Sequence, residues 1–139
     1  MSRPQSQLGN VQALRRLHVL VVAGDRRFQR VAGFMLERCG YRVSILTRLR
    51  DVIVTVERKR PDVVVLDATS SLSDSARIAA ALEAIAPRTT VVLVSEDDRV
   101  CDVSALTNLE VHPKWDAFAE LSANLERIHL GIAPAAEGL

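Results

Sequence analysis

The sequence predicts an α/β domain built on an open, doubly wound sheet of five parallel strands with helices on both faces. Three observations carry that expectation. Five short apolar runs, at 17–22, 41–46, 62–66, 90–94 and 109–111, alternate with segments of helical periodicity. The first and third runs, "LHVLVV" and "DVVVL", are near-continuous aliphatic blocks, the pattern of strands covered on both faces. Aromatic residues make up only 4% of the chain, so Val, Leu and Ala must supply the core.

Each element has its own signal. Phe28, Val31, Ala32, Met35, Leu36 and Cys39 step by three and four, and Gly40 stands where a helix C-terminal cap belongs. That stripe also makes Cys39 a small core residue. Segment 49–60 contains the β-rich "DVIVTV", yet Leu49, Val52, Ile53 and Val56 fit a helical stripe. A helix is expected there, because successive parallel strands require a crossover. Ile78, Ala81, Leu82 and Ile85 predict the next helix, started by Ser73 or Asp74 and stopped by Pro87. Residues 96–108 are polar and should hold one short helix near 100–106. Trp115, Phe118, Leu121, Leu125 and Ile128 give the last stripe. Residues 1–16 read as a polar arm, 17–130 as the folded domain and 131–139 as a tail. Leu20, Val22, Val64 and Leu66 are expected to be fully buried.

At 139 residues the chain is expected to form one domain with one substantial core. Eighteen Lys and Arg against seventeen Asp and Glu give a net charge of +1, which demands no polyanionic partner. The basic groups Arg26, Arg27 and Arg30, and Arg58, Lys59 and Arg60, read as solvated helix faces, and no direct nucleic-acid contact is expected. Cys39 and Cys101 lack metal-ligand spacing. No signal peptide or membrane-spanning run appears, so the expected address is cytoplasmic.

In a doubly wound sheet, chemistry gathers beyond the carboxyl ends of the strands. Asp67 closes the third strand there, where an unpaired carboxylate is costly to bury. Ala23, Gly24 and Asp25 follow the first strand, Ser95 ends the fourth, and His112, Pro113 and Lys114 follow the fifth. Acids, a hydroxyl and a cation from separate strand ends suit phosphoryl transfer. One carboxylate accepts the group, a hydroxyl and an ammonium hold its oxygens, and further acids hold Mg²⁺.

These residues resemble the receiver domain of two-component response regulators, over roughly residues 17–130. "HVLVVAGDRRFQRVAGFMLERCGYRV" is similar to the family's first βαβ unit, "PDVVVLD" to its phosphoacceptor strand and "VVLVSE" to its fourth strand. The resemblance implies a flavodoxin-like (βα)5 fold with Asp67 as phosphoacceptor. Ser95 and Lys114 become the phosphoryl-contacting residues, and Asp25, Asp67 and the backbone carbonyl of Thr69 the metal ligands. It further implies a cytoplasmic signalling module in a phosphorelay, not an enzyme. The partner would be a histidine kinase or another signalling protein, and self-association would use the last helix and fifth strand.

The departures are equally specific. Ala23 and Gly24 stand where the family carries two adjacent acids, leaving only Asp25, and Asp is also a favoured helix N-cap. "SSLSDS" replaces the family's proline-methionine-aspartate-glycine segment, and Leu109 or Val111 replaces its aromatic switch residue. The family's Lys-Pro is scrambled into His112-Pro113-Lys114-Trp115, so either Lys114 or His112 takes the lysine position, with Lys114 keeping the helix register. The expectation is an atypical receiver with weak Mg²⁺ affinity, no organic cofactor and weak or absent phosphorylation of Asp67. Two alternatives stand beside it: a phosphorylation-independent interaction module of the same fold, and a flavodoxin-like small-ligand binder. Against the latter, the turn "VAGDRR" lacks G-x-G-x-x-G and a P-loop lysine.

Overall fold

The computed structural model describes residues 16–69, 71–96 and 111–113. The strands are β1 (His18–Val22), β2 (Arg42–Leu46), β3 (Val63–Asp67), β4 (Thr90–Ser95) and β5 (Val111–Pro113). They lie in the order β2-β1-β3-β4-β5, all parallel. Helices α1 (Arg26–Arg38), α2 (Val52–Lys59) and α3 (Leu72–Ile85) make the crossovers between the first four strands. The chain leaves β1 in one direction to reach β2, then crosses back past β1 to β3. This reversal puts the switch point between β1 and β3.

Strand alternation divides the core into two layers. Val19, Val21, Val63, Val65, Val92 and Val94 pack with Phe28, Ala32 and Leu36 of α1. Leu20, Val22, Val64, Leu66 and Leu93 pack on the other face with Val52 and Val56 of α2 and Ala79 and Leu82 of α3. Leu20, Val22, Val64 and Leu66 are at most 3% exposed, as expected. With both faces covered, even neighbouring residues of one strand are buried, which explains the unbroken aliphatic runs.

Segment 49–60 is helical despite its β-branched residues: a 3₁₀ turn at Leu49–Asp51 leads directly into α2. Burial of Val52 and Val56 against the sheet outweighs the small helix propensity deficit of valine. At the end of α1, Gly40 has φ 96° and its N–H donates to the Glu37 carbonyl at 2.9 Å. The Tyr41 N–H reaches the Leu36 carbonyl at 3.1 Å, completing a Schellman cap whose flanking residues Leu36 and Tyr41 share the same core layer.

Four local expectations are corrected. Cys39 is exposed, because it caps α1 where the chain already turns away from the sheet. Ser71, not Ser73 or Asp74, caps α3, its hydroxyl accepting the Asp74 N–H at 3.3 Å. The buried face of α3 is Ser75, Ala76, Ala79 and Leu82, whereas Ala81 is exposed and Ile85 is 45% exposed. Small residues there let the helix approach the sheet closely, so its inner face carries little hydrophobic signal. The fifth strand also sits two residues later than expected, with Val111, His112 and Pro113 paired to Leu93, Val94 and Ser95. Lys114, Trp115, the expected helices at 100–106 and beyond 115, and with them the last-helix part of the self-association surface, lie outside the described residues.

Candidate functional site

Asp67 is the last residue of β3, opposite Val94 of β4. Its carboxylate is half-buried at the carboxyl edge of the sheet, between two anchored neighbours. Leu66 is fully buried before it, and Ala68 is fully buried after it with its N–H on the Val94 carbonyl at 2.7 Å. Asp67 therefore cannot swing away without breaking the ladder. Its Oδ1 accepts the Thr69 N–H at 3.0 Å, an Asx turn that starts the β3–α3 loop.

The β3–α3 loop is tied to the end of β4. The Thr69 hydroxyl accepts the Glu96 N–H at 3.3 Å, directly after Ser95. Ser95 is 1% exposed, so its hydroxyl belongs to the packed end of β4 and not to an open turn. Asp67, Thr69 and Ser95 are thus brought to one edge, as the sequence predicts. The side-chain link from Thr69 to Glu96 was not foreseen, since only tertiary pairing of β3 with β4 reveals it. Lys114 and the alternative His112 differ in placement: His112 lies within β5, and Lys114 follows it outside the described residues.

On the other side, Val22 pairs with Leu66, so the β1–α1 turn stands beside Asp67. Ala23 is 2% exposed, its N–H on the Leu46 carbonyl at 2.9 Å, and its methyl group belongs to the core layer under α1. The amide of Gln29 closes the turn from above, donating to the Ala23 carbonyl and to the Thr47 hydroxyl. Gly24 is exposed, and a Cβ built there meets no heavy atom within 4 Å. Asp25 caps α1: its Oδ1 accepts the Arg27 N–H at 2.9 Å and the Phe28 N–H at 3.3 Å.

Mg²⁺ needs near-octahedral oxygen ligands, usually with one or two carboxylates free to turn toward it. Ala23 and Gly24 offer no side-chain oxygen, and the Asp25 carboxylate is engaged by the helix it caps. Among the described residues there is no group of three His, Cys, Asp or Glu side chains able to hold a metal. The described donor set does not fit a strong magnesium site.

No protein-family model matches the sequence, and no curated protein matches it. Solved structures do match the fold. A response regulator from Thermotoga maritima superposes with a TM-score of 0.71 at 19% identity, covering 83% of this chain and 98% of that one. The signal receiver domain of an HD domain-containing protein from Pseudomonas fluorescens Pf-5 gives 0.73 at 18% identity, covering 90% and 95%. The chain has the receiver-domain fold. Another receiver-fold neighbour, at TM-score 0.67 and 15% identity over 82% of this chain and 96% of that one, is an atypical orphan response regulator described as using a phosphorylation-independent regulatory mechanism. Within the receiver fold of this chain, Asp67 and Ser95 hold the strand-end positions that the resemblance assigns them. Among the described residues no helix is long and apolar enough to cross a membrane.

Proposed function

We propose that this chain is an atypical receiver-type signalling module that acts through protein–protein contacts, with Asp67 a poor phosphoryl acceptor. The observation that carries the reading is the β1–α1 turn beside Asp67. A buried methyl at Ala23, an open position at Gly24 and a helix-capping Asp25 stand where carboxylates would hold a divalent cation.

The electrostatics follow from that turn. Phosphorylation would bring about −1.5 to −2 charges onto the Asp67 carboxylate. Without a cation to offset them, both transfer and retention of the group are unfavourable. Lys114 would instead neutralise Asp67, and Ser95 would remain a packed strand-end hydroxyl. The partners in this reading are a histidine kinase or another signalling protein, and the chain is not a multiple-turnover enzyme. Cytoplasmic location and a homodimer through the last helix and fifth strand belong to the same proposal.

The test is intact-mass measurement after incubation with acetyl phosphate and Mg²⁺, with Asp67→Asn as the blank. Slow or undetectable gain of one phosphoryl group is expected. Rapid, Mg²⁺-dependent labelling that Asp67→Asn abolishes would overturn the proposal.

A further inference from the structure

Where α1 passes over β2, the surface is apolar and open. Phe34 is 61% exposed and Ile45 is 42% exposed, and both line one shallow groove with Val31 and Gly33. A Cβ built on Gly33 would stand 3.8 Å from Ile45 Cδ1, so the helix lies close over the strand here. The Arg38 guanidinium sits 5.6 Å from the centre of the Phe34 ring and favours its outward position. Grouped apolar side chains of this kind mark an interaction surface, whereas scattered single ones do not.

The groove borders an open sheet edge. β2 is the end strand of the sheet. The Arg42 N–H donates to the Leu17 carbonyl and the Leu46 carbonyl accepts the Ala23 N–H, both at 2.9 Å, so Arg42, Ser44 and Leu46 turn their backbone toward β1. The N–H and C=O groups of Val43 and Ile45 therefore point outward. β2 has no proline and Arg42 is its only charged residue, so little guards this edge against another strand. Two β2 strands paired antiparallel about Ser44 set Val43 opposite Ile45 of the other copy. Those are the residues with outward backbone groups, and each such pair exchanges two hydrogen bonds.

The charges select the occupant. Arg30 and Glu37 line the same groove, both exposed, about one turn before and one turn after Phe34. Among the described residues neither forms an ion pair. A partner of one sign would leave one of these two charges opposed. A two-fold axis near Ser44 and Phe34 instead sets Arg30 of each copy beside Glu37 of the other. We infer that this face binds a second copy of the chain, with α1 and β2 antiparallel to their counterparts and Phe34 and Ile45 at the centre. The face lies at the opposite edge of the sheet from β5. It is therefore independent of the reading of Asp67 and of association through the last helix and fifth strand.

The test is sedimentation equilibrium of the full chain and its variants, from micromolar to near-millimolar concentration. A monomer–dimer equilibrium is expected, abolished by Phe34→Ser and weakened about tenfold by either Arg30→Glu or Glu37→Arg, each of which sets like charges together twice. An equimolar mixture of the two charge variants should regain the affinity of the unmodified chain, because an acidic rim then meets a basic one. Damage to the fold could not be repaired by mixing. A monomer at every concentration would overturn the inference and leave the face to a different protein. So would a dimer indifferent to Phe34→Ser, which would place association elsewhere, or a mixture no tighter than its two components alone.

Discussion

Replacing Asp25 separates helix capping from metal ligation, and the structure fixes the expected size of the effect. The Asp25 carboxylate accepts one hydrogen bond of 2.9 Å and one longer bond of 3.3 Å from the first turn of α1. Removing an N-cap side chain costs about 1 kcal/mol, within a range of roughly 0.5–2. The first turn of α1 holds no acid and begins with Arg26 and Arg27, so Asp25 alone offsets the helix dipole there. That charge contributes about 0.3–1 kcal/mol more. Asp25→Ala should therefore destabilise by about 1–2 kcal/mol, whereas Asp25→Ser, which keeps a capping oxygen, should cost only the charge contribution, about 0.3–1 kcal/mol. For a domain of this size each kcal/mol lowers the melting temperature by about 3–5 °C, read by far-UV circular dichroism. Neither variant should alter Mg²⁺ affinity. A serine variant as unstable as the alanine variant, or one that loses Mg²⁺ binding, would refute the capping argument.

Core and pH behaviour give further predictions. Val64 is fully buried, so Val64→Ala should cost about 1–3 kcal/mol by transfer and cavity effects, while Val54→Ala, at a residue 58% exposed, should stay within about 0.5 kcal/mol in urea titrations. Burial first, then Arg42 and Lys59, lower the His18 pKa below its ordinary 6.5, against the opposing pull of Asp62. His18 Nε2 pairs with the Ser44 hydroxyl at 2.8 Å and its buried Nδ1 has no partner among the described residues, so the fold favours the neutral ring. Because the folded pKa lies below the unfolded one, this contribution is complete above pH 6.5 and is lost as pH falls through the folded value. Unfolding free energy should decline below pH 6.5, and His18→Gln should flatten the decline over the range above carboxylate protonation. An equally steep profile in the variant would show that another group titrates.

The parallel sheet and its helical crossovers were legible because strands covered on two faces leave aliphatic blocks alternating with helical stripes, whereas the strand order came from the family resemblance. The same logic resolved 49–60, where local β propensity pointed the wrong way and topology prevailed. The inner face of α3 was misread because Ser75, Ala76 and Ala79 fit by being small, and smallness carries no hydrophobic periodicity. Cys39 matched the stripe of α1 by spacing alone, but the helix ends one residue before it. At the candidate site, Asp67, Ser95 and the capping role of Asp25 were readable from strand ends and residue type. The Thr69–Glu96 link and the Gln29 clamp on Ala23 were not, because each joins residues from different elements. The left-handed Arg60 was equally hidden, since arginine carries no signal for a position that glycine usually fills.

The central claim is that the turn beside Asp67 lacks the carboxylate a divalent cation needs, at a position with room for one. Gly24 lies outside the left-handed backbone region and a Cβ there meets nothing within 4 Å, so aspartate fits without strain. Ala23, packed in the core, could not be replaced in the same way. The most direct test is calorimetric Mg²⁺ titration of the unmodified chain, Gly24→Asp, and Gly24→Asp combined with Asp67→Asn. The account predicts weak binding in the unmodified chain, a gain of about tenfold or more in Gly24→Asp as a second carboxylate joins the hard-cation site, and loss of that gain in the double variant. Tight Mg²⁺ binding by the unmodified chain, dependent on Asp67 and unchanged by Gly24→Asp, would contradict it.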